Sequence, residues 1–243
     1  VHGSPETSWP ERAAPLAPFA GRFGLAAAQV DALRAFAQIL AKDEHAPTTV
    51  HEPVRVRDDH LADALVALEL PQVRAAATIA DIGAGAGIPG VPLAIALPGA
   101  RVTLLEGNGR KCEFLGLVVE RLGLTNVDVV NGRAETWRDG IGTCDVVTVR
   151  ALAPPDVVEE YAAPLLSLGG SLVAWRGKRE PEAEAAADRA AAILGMSGAD
   201  PLRVYPYPGA EHRYLHVVTK TRETPARFPR RDGVARKRPL GRA

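Results

Sequence analysis

The chain of 243 residues has only two cysteines, Cys112 and Cys144, and neither stands at a pairing or metal-ligand spacing. A disulfide framework and a cysteine-based metal site are thereby excluded, no metal is expected, and both thiols read as reduced and in or near a core. No apolar run approaches the roughly 18 residues that a membrane span requires. The amino end, Val1-His-Gly-Ser-Pro-Glu-Thr-Ser-Trp-Pro10, lacks a basic start followed by an apolar stretch, which argues for a mobile leader on a cytoplasmic protein. An overall excess of charge is missing too, with 29 Lys/Arg against 29 Asp/Glu. That balance hides an uneven distribution. Residues 220–243 hold nine Lys/Arg against two Asp/Glu, leaving 20 against 27 in the remainder. A basic tail on an acidic body suggests a polyanion held at one edge, with a solvated tail as the alternative.

What is present is ordinary for one α/β domain with short extensions: 47% hydrophobic and 24% charged residues. Within 28–41, Val30, Leu33, Phe36, Ile39 and Leu40 recur at three- and four-residue intervals and predict an amphipathic helix. Asp58 to Leu70 repeats the pattern through Leu61, Leu65 and Leu68, with Asp58 or Asp59 as the expected N-cap and Pro71 as the stop. His60 and Asp63 lie one turn apart on that helix, where a hydrogen-bonded structural pair is expected. From residue 77 strands alternate with helices, the signature of a parallel sheet. Strands are expected at 77–82, 101–106, 126–130, 144–149, 171–176, 202–206 and 213–220, with helices at 89–97, 109–122, 156–167 and 180–194. The last two strands follow one another without a helix, so the sheet should end in an antiparallel strand. The predicted organisation is a flexible leader (1–27), a helical cap (28–72), a Rossmann-like domain with a seven-stranded, mostly parallel sheet (73–220) and a basic tail (221–243).

The stretch Thr78-Ile-Ala-Asp-Ile-Gly-Ala-Gly-Ala-Gly-Ile-Pro-Gly90 joins an apolar strand to a glycine-rich turn and then a helix. Gly83, Gly85 and Gly87 allow a sharp turn and close backbone approach to a ligand. The spacing G-x-G-x-G departs from the dinucleotide G-x-G-x-x-G, and Asp81 places a negative charge where a pyrophosphate would sit. A cofactor with a cationic end, such as S-adenosylmethionine, fits better. Ligands of open α/β sheets bind beyond the carboxyl ends of the strands. There Glu106 closes the second strand, 19 residues past Gly87, where a carboxylate can accept hydrogen bonds from ribose hydroxyls. The turn after the third strand, Asn131-Gly-Arg-Ala-Glu-Thr-Trp137, is placed to cover an adenine, flanked by Arg133 and Glu135.

The fourth strand ends Val147-Thr-Val-Arg-Ala-Leu-Ala-Pro154. Amino-methylating enzymes carry an Asn/Asp-Pro-Pro-aromatic motif at this point, and here Arg150 takes its place. A cytosine-C5 enzyme would need a thiol nucleophile in a Pro-Cys setting, which neither cysteine offers. Guanine N7 already has a free lone pair, so an enzyme acting on it mainly needs placement, which can account for roughly 7–11 kcal/mol of the barrier. Arg133 and Arg150 are the positioning candidates, with a salt bridge from arginine to Glu135 as the structural alternative.

These residues resemble the RsmG family, also called GidB, the small-subunit rRNA guanine-N7 methyltransferases. The resemblance rests on Asp81-Ile-Gly-Ala-Gly-Ala-Gly-Ile-Pro-Gly-Val-Pro92, Gly132-Arg-Ala-Glu135, Val147-Thr-Val-Arg-Ala151 and the tail Thr224-Pro-Ala-Arg-Phe-Pro-Arg-Arg-Asp-Gly-Val-Ala-Arg-Lys-Arg-Pro-Leu240. It implies a class I S-adenosylmethionine-dependent methyltransferase acting on N7 of the guanine at position 527, in the 530 loop of 16S rRNA. Cofactor contacts would fall on Gly83, Gly85, Ile88, Ala134, Glu135 and Arg150, with Glu106 at the ribose. The tail would be a stiff basic arm contacting 16S rRNA or the small ribosomal subunit through Arg227, Arg230, Arg231, Arg236, Lys237 and Arg238. A monomer is expected. The rival readings are a small-molecule methyltransferase of the same fold and a non-catalytic rRNA-binding or assembly protein.

Overall fold

The computed structural model describes residues 9–241, so the first eight residues of the expected leader and the last two of the tail lie outside the described residues. From residue 9 onward the expected leader is folded. Trp9 is buried and its indole donates to the Ala14 carbonyl at 2.7 Å. Helix α1 (Ala17–Phe23) buries Phe19 and Phe23 and ends at Gly24 in the left-handed conformation. Two aromatics on a seven-residue helix are too few for a periodic signal, which is why this element escapes a reading of the sequence.

The cap continues as expected with α2 (Ala27–Lys42), which buries Val30, Leu33, Phe36 and Leu40. Gln29 accepts from the Ala26 amide and donates to the carbonyls of Ile95 and Ala96, tying the start of α2 to the domain behind it. The second cap helix is longer and less regular than predicted. It runs as α3 (Pro53–Arg55), a π-helical stretch (Val56–Ala62), α4 (Asp63–Leu65) and a 3-10 turn (Val66–Glu69). Its N-cap is Glu52, whose carboxylate accepts from the Val54 and Arg55 amides, so Asp58 and Asp59 lie inside the helix. Leu61, Leu65 and Leu68 are buried as the periodicity requires. Pro71 ends this helix and opens a short one, α5 (Pro71–Arg74).

The sheet is built from β1 (Thr78–Ile82), β2 (Arg101–Glu106), β3 (Val127–Asn131), β4 (Cys144–Arg150), β5 (Leu166–Arg176), β6 (Met196–Gly198), β7 (Leu202–Arg203) and β8 (Tyr214–Lys220). Strands follow the order β3-β2-β1-β4-β5-β8-β6, with β7 also on β8. The first five are parallel and β8 is antiparallel to β5, as the missing helix before it predicted. Several details differ from expectation. The edge is split between β6 and β7, the latter only two residues of the expected 202–206, which makes eight strand segments among the described residues; β5 starts at Leu166, five residues early, and the helix before it ends at Ala162, not 167. The register between β4 and β5 shifts after Cys144, and Gly169 with φ of +85° lets the strand absorb that irregularity.

Helices α6 (Gly90–Ala96) and α7 (Gly109–Leu122) join the cap in one core, which lies on one face of the sheet. Helices α8 (Pro155–Ala162) and α9 (Pro181–Leu194) build the second core. Phe228 and Ala235 of the tail belong to that second core, and Ala235 lies on the short helix α10 (Val234–Lys237). Burying Phe228 contributes on the order of 2 kcal/mol. The tail is therefore part of the folded body and not a free arm.

Candidate functional site

The carboxyl ends of β1, β2 and β3 open into a cleft of about 390 Å³, within the range of small-ligand sites. Its floor is the glycine turn after β1. Gly83 has φ of +73°, which favours glycine, and a Cβ there would stand 2.6 Å from Leu152 Cδ1, so the Leu152 side chain would have to move. Gly85 has φ of +57°, with only the Gly83 carbonyl oxygen, 3.8 Å away, near its missing Cβ. The amide of Gly85 donates to Glu106 Oε2 at 3.0 Å, and Asn108 donates to Oε1 at 2.9 Å. Glu106 thus ties the glycine turn to the start of α7 while only 9% exposed. A carboxylate has about four acceptor positions, so two remain for hydroxyl donors.

Asp81 has a different role from the one its sequence position suggested. It is buried, its Oδ2 accepts from the Gly90 amide at 2.9 Å and its Oδ1 from the Thr148 hydroxyl at 3.0 Å. Burial pushes its carboxyl up to about 7, against these two bonds. It caps α6 and locks β1 to β4 instead of presenting a charge to a ligand. Gly90 is required at this contact, since a Cβ would lie 2.3 Å from Leu104 Cδ2 and 2.8 Å from Asp81 Oδ2.

Ala134 and Glu135 line the cleft on the β3 side, with Arg133 beside them. The alternative of an Arg133–Glu135 salt bridge is not what forms. Arg133 donates to Asp232 at 2.9 Å and Glu135 Oε1 accepts from the Gly233 amide at 3.2 Å. Both partners come from the tail. The opposite wall holds Leu152, Tyr161 and Arg236, none of which the sequence had marked for this cleft. Leu152 follows Ala151, which has φ of 54° although it is not glycine, and so gave no turn signal. Ile88 packs against the first core and Gly85 acts through Glu106; neither lines the cleft.

Arg150 lines a second, neighbouring cleft of about 310 Å³. Arg176, Lys178, Glu180 and Arg213 line the same cleft, as does the buried Asp63. Asp63 pairs with Arg150 at 3.3 Å and with Arg213 at 3.3 Å, which overturns the expected His60–Asp63 pair. His60 instead shares a hydrogen bond with the Thr48 hydroxyl at 2.9 Å. Burial, helped by the Arg150 charge, pushes the His60 ring down to about 4, so it is neutral at pH 7. Burial pushes the Asp63 carboxyl up, and the arginines pull it back. Trp175 fixes the helix from the sheet side by donating to the Asp63 carbonyl at 2.6 Å. The π-helical turn ends at Asp63, whose amide bonds both Asp58 and His60 carbonyls.

Of the expected RNA contacts, Arg227, Arg231, Arg236, Lys237 and Arg238 are exposed. Arg230 is committed to the body through a bidentate pair with the buried Glu160 and a bond to the Arg238 carbonyl. Arg236 donates to the Leu152 carbonyl at 3.1 Å and lines the first cleft. Both cysteines are free thiols. Cys144 is buried, and burial pushes it up to about 11, while Cys112 Sγ donates to the Glu106 carbonyl.

A sheet of this order with one reversed strand, a glycine turn after β1 and a carboxylate closing β2 define a Rossmann-like class I methyltransferase fold. The chain belongs to the family described as GidB, rRNA small subunit methyltransferase G, which matches residues 29–203. A ribosomal RNA small subunit methyltransferase G of Rubrobacter xylanophilus is 41% identical over 219 residues, covering 87% of this chain and 84% of that protein. A protein of the same name from Chloroflexus aggregans is 41% identical over 207 residues, covering 83% of this chain and 85% of its own length. Among solved structures, a SAM dependent methyltransferase from Aquifex aeolicus superposes with a TM-score of 0.55 at 17% identity, over 70% of this chain and 94% of that one. At that identity the likeness concerns the fold alone.

Proposed function

We propose that this protein methylates N7 of the guanine at position 527, in the 530 loop of 16S rRNA, with S-adenosylmethionine as methyl donor. Its class, a small-subunit rRNA methyltransferase, comes with the family. The observation that carries the finer reading is the junction of two unlike clefts at the end of β4. Arg150 and Ala151 line the cationic cleft and Leu152, the next residue, lines the glycine-floored one.

The first cleft fits an adenosyl group: its lining is free of a Cβ atom at Gly83, the Gly85 amide holds Glu106 in place, and Glu106 keeps acceptor positions for ribose hydroxyls. We assign Ala134 and Glu135 to the adenine. Bound there, the donor supplies a methyl group on a sulfonium. The second cleft supplies charge for a nucleotide. Arg150 Nη1 is buried against Asp63 Oδ2 at 3.3 Å, so the ion pair fixes the guanidinium at the edge of this cleft. Its partner Asp63 holds it in place, and we assign Arg150 to positioning at the junction. Attack by N7 requires no proton removal, so placement by these groups is the chain's main contribution.

Exposed Arg227, Arg231, Lys237 and Arg238 extend the positive surface for phosphates. Among the described residues no helix is long and apolar enough to cross a membrane. A cytoplasmic monomer acting on 16S rRNA or the small subunit is part of the same proposal. Mass mapping of small-subunit rRNA from cells lacking the protein tests it. The expected result is one missing methyl mass at that guanine, restored by the wild-type chain; an unchanged map would contradict the assignment.

A further inference from the structure

The carboxyl-terminal segment carries nine of the chain's cations with residue 220 included, yet three of its residues bond to the turns that flank the glycine-floored cleft. Asp232 meets Arg133 at 2.9 Å, the Gly233 amide meets Glu135 Oε1 at 3.2 Å, and Arg236 reaches the Leu152 carbonyl at 3.1 Å. The first two contacts are to the turn after β3 and the third is to the turn after β4. The segment therefore spans the cleft from one wall to the other. It is anchored behind by buried Phe228 and by the Arg230–Glu160 pair on α8.

Backbone chemistry supports a built contact. Gly233 has φ of +74°, a conformation that favours glycine and turns its amide toward Glu135. The carboxylate of Glu135 is only 7% exposed, and with one oxygen held by Gly233 its second oxygen has a fixed direction. Arg236 lines the cleft beside Tyr161, opposite the β3 turn. Removing it would free both the Leu152 carbonyl and the cleft wall.

We infer that residues 232–236 form a strap that completes the adenine side of the cofactor cleft, with Arg236 and Gly233 as positioning residues for cofactor binding. This rests on the proposed use of S-adenosylmethionine. The flanking Arg231, Lys237 and Arg238 are exposed, so one short stretch serves the cofactor at residues 232–236 and leaves its flanks to RNA. Those flanking cations explain a basic tail; they do not explain Asp232, Gly233 or the bond from Arg236 to the Leu152 carbonyl.

Calorimetry of S-adenosylmethionine with the full chain tests the strap. Asp232→Ala combined with Arg236→Ala should weaken binding about tenfold, equivalent to roughly 1.4 kcal/mol. Gly233→Val should weaken it at least as much, and Arg236→Lys should recover part of the loss by keeping a donor for Leu152. In methyl transfer the double variant should raise KM for the cofactor more than it lowers kcat. Exposed Arg231→Ala is the comparison and should bind the cofactor within twofold of wild type. Melting temperatures of all variants separate loss of the site from loss of the fold; the point variants leave the Phe228 and Arg230 anchors intact. Wild-type affinity in both the double variant and Gly233→Val would overturn the strap. Failure of the wild-type chain itself to bind would instead overturn the choice of cofactor.

Discussion

The two clefts at the end of β4 are built by opposite means. The first uses backbone: positive-φ glycines, amides and one strand-end carboxylate that fastens the loop it belongs to. The second uses side-chain charge: four cations line it with Glu180 and the buried Asp63, which pairs with two of them. The glycine turn and the carboxylate of the first cleft are legible in local sequence, because each sits at a strand end at a fixed spacing; its far wall, Leu152, Tyr161 and Arg236, is not. A charge cluster assembled from the cap, β4, β5 and β8 is fixed only by tertiary packing. The first suits a small ligand of constant shape, and the second suits a polyanion whose phosphates can be met in several ways.

Substitutions should break this division in a graded manner. The largest effect is expected from Gly85→Val. A β-branched residue is strained at φ of +57°, and a shifted turn would take the residue-85 amide away from Glu106, so cofactor affinity should fall by roughly 100-fold or more. Near-wild-type calorimetry in that variant would remove the glycine turn from the site. Glu106→Gln comes next. It exchanges a charged acceptor for a neutral amide and should cost about 10- to 100-fold in cofactor affinity, with RNA binding retained.

A smaller effect is expected from the other cleft. Arg213→Ala removes one cation from the Asp63 cluster and should weaken small-subunit RNA binding severalfold, lowering the salt slope by about one. An unchanged slope would take Arg213 out of the RNA-facing surface. The smallest effect on either ligand belongs to Glu159, buried on α8 away from Glu106 and Asp63. Burial, with Asp188 and Asp156 adding to it, pushes its carboxyl from 4.5 up to about 9. Its folded-state value is raised, so the stability it contributes is complete below about pH 4.5 and is lost as pH rises toward 9. Glu159→Gln should flatten that fall in melting temperature and stabilise the protein by roughly 1–3 kcal/mol at pH 8. A variant that keeps the wild-type slope would contradict the assignment.

How much of this was legible in the sequence follows the same division. Helices α2 and α7 were readable from apolar spacing, as were the five parallel strands and the reversed last one. Gly83 and Glu106 were readable because a strand end and a fixed spacing place them together. The link between Asp63 and Arg150 was not, since a cap helix meets a strand only in the folded chain. His60 misled because one turn of spacing on a regular helix would have put it beside Asp63, whereas the backbone there is π-helical. Basic composition correctly marked the tail as distinctive, but composition says nothing about Phe228 and Ala235 entering a core. Arg230 and Arg236 read as two more cations of an arm until their carboxylate and carbonyl partners are seen.

The central claim is that the two clefts bind different ligands and can be uncoupled. The most direct measurement is a paired one on Glu106→Gln and Arg213→Ala: cofactor affinity by calorimetry, and small-subunit RNA affinity as a function of salt. The account predicts that the first variant loses cofactor affinity and keeps the RNA salt slope, and that the second does the reverse. Equal loss of both affinities in both variants would contradict it.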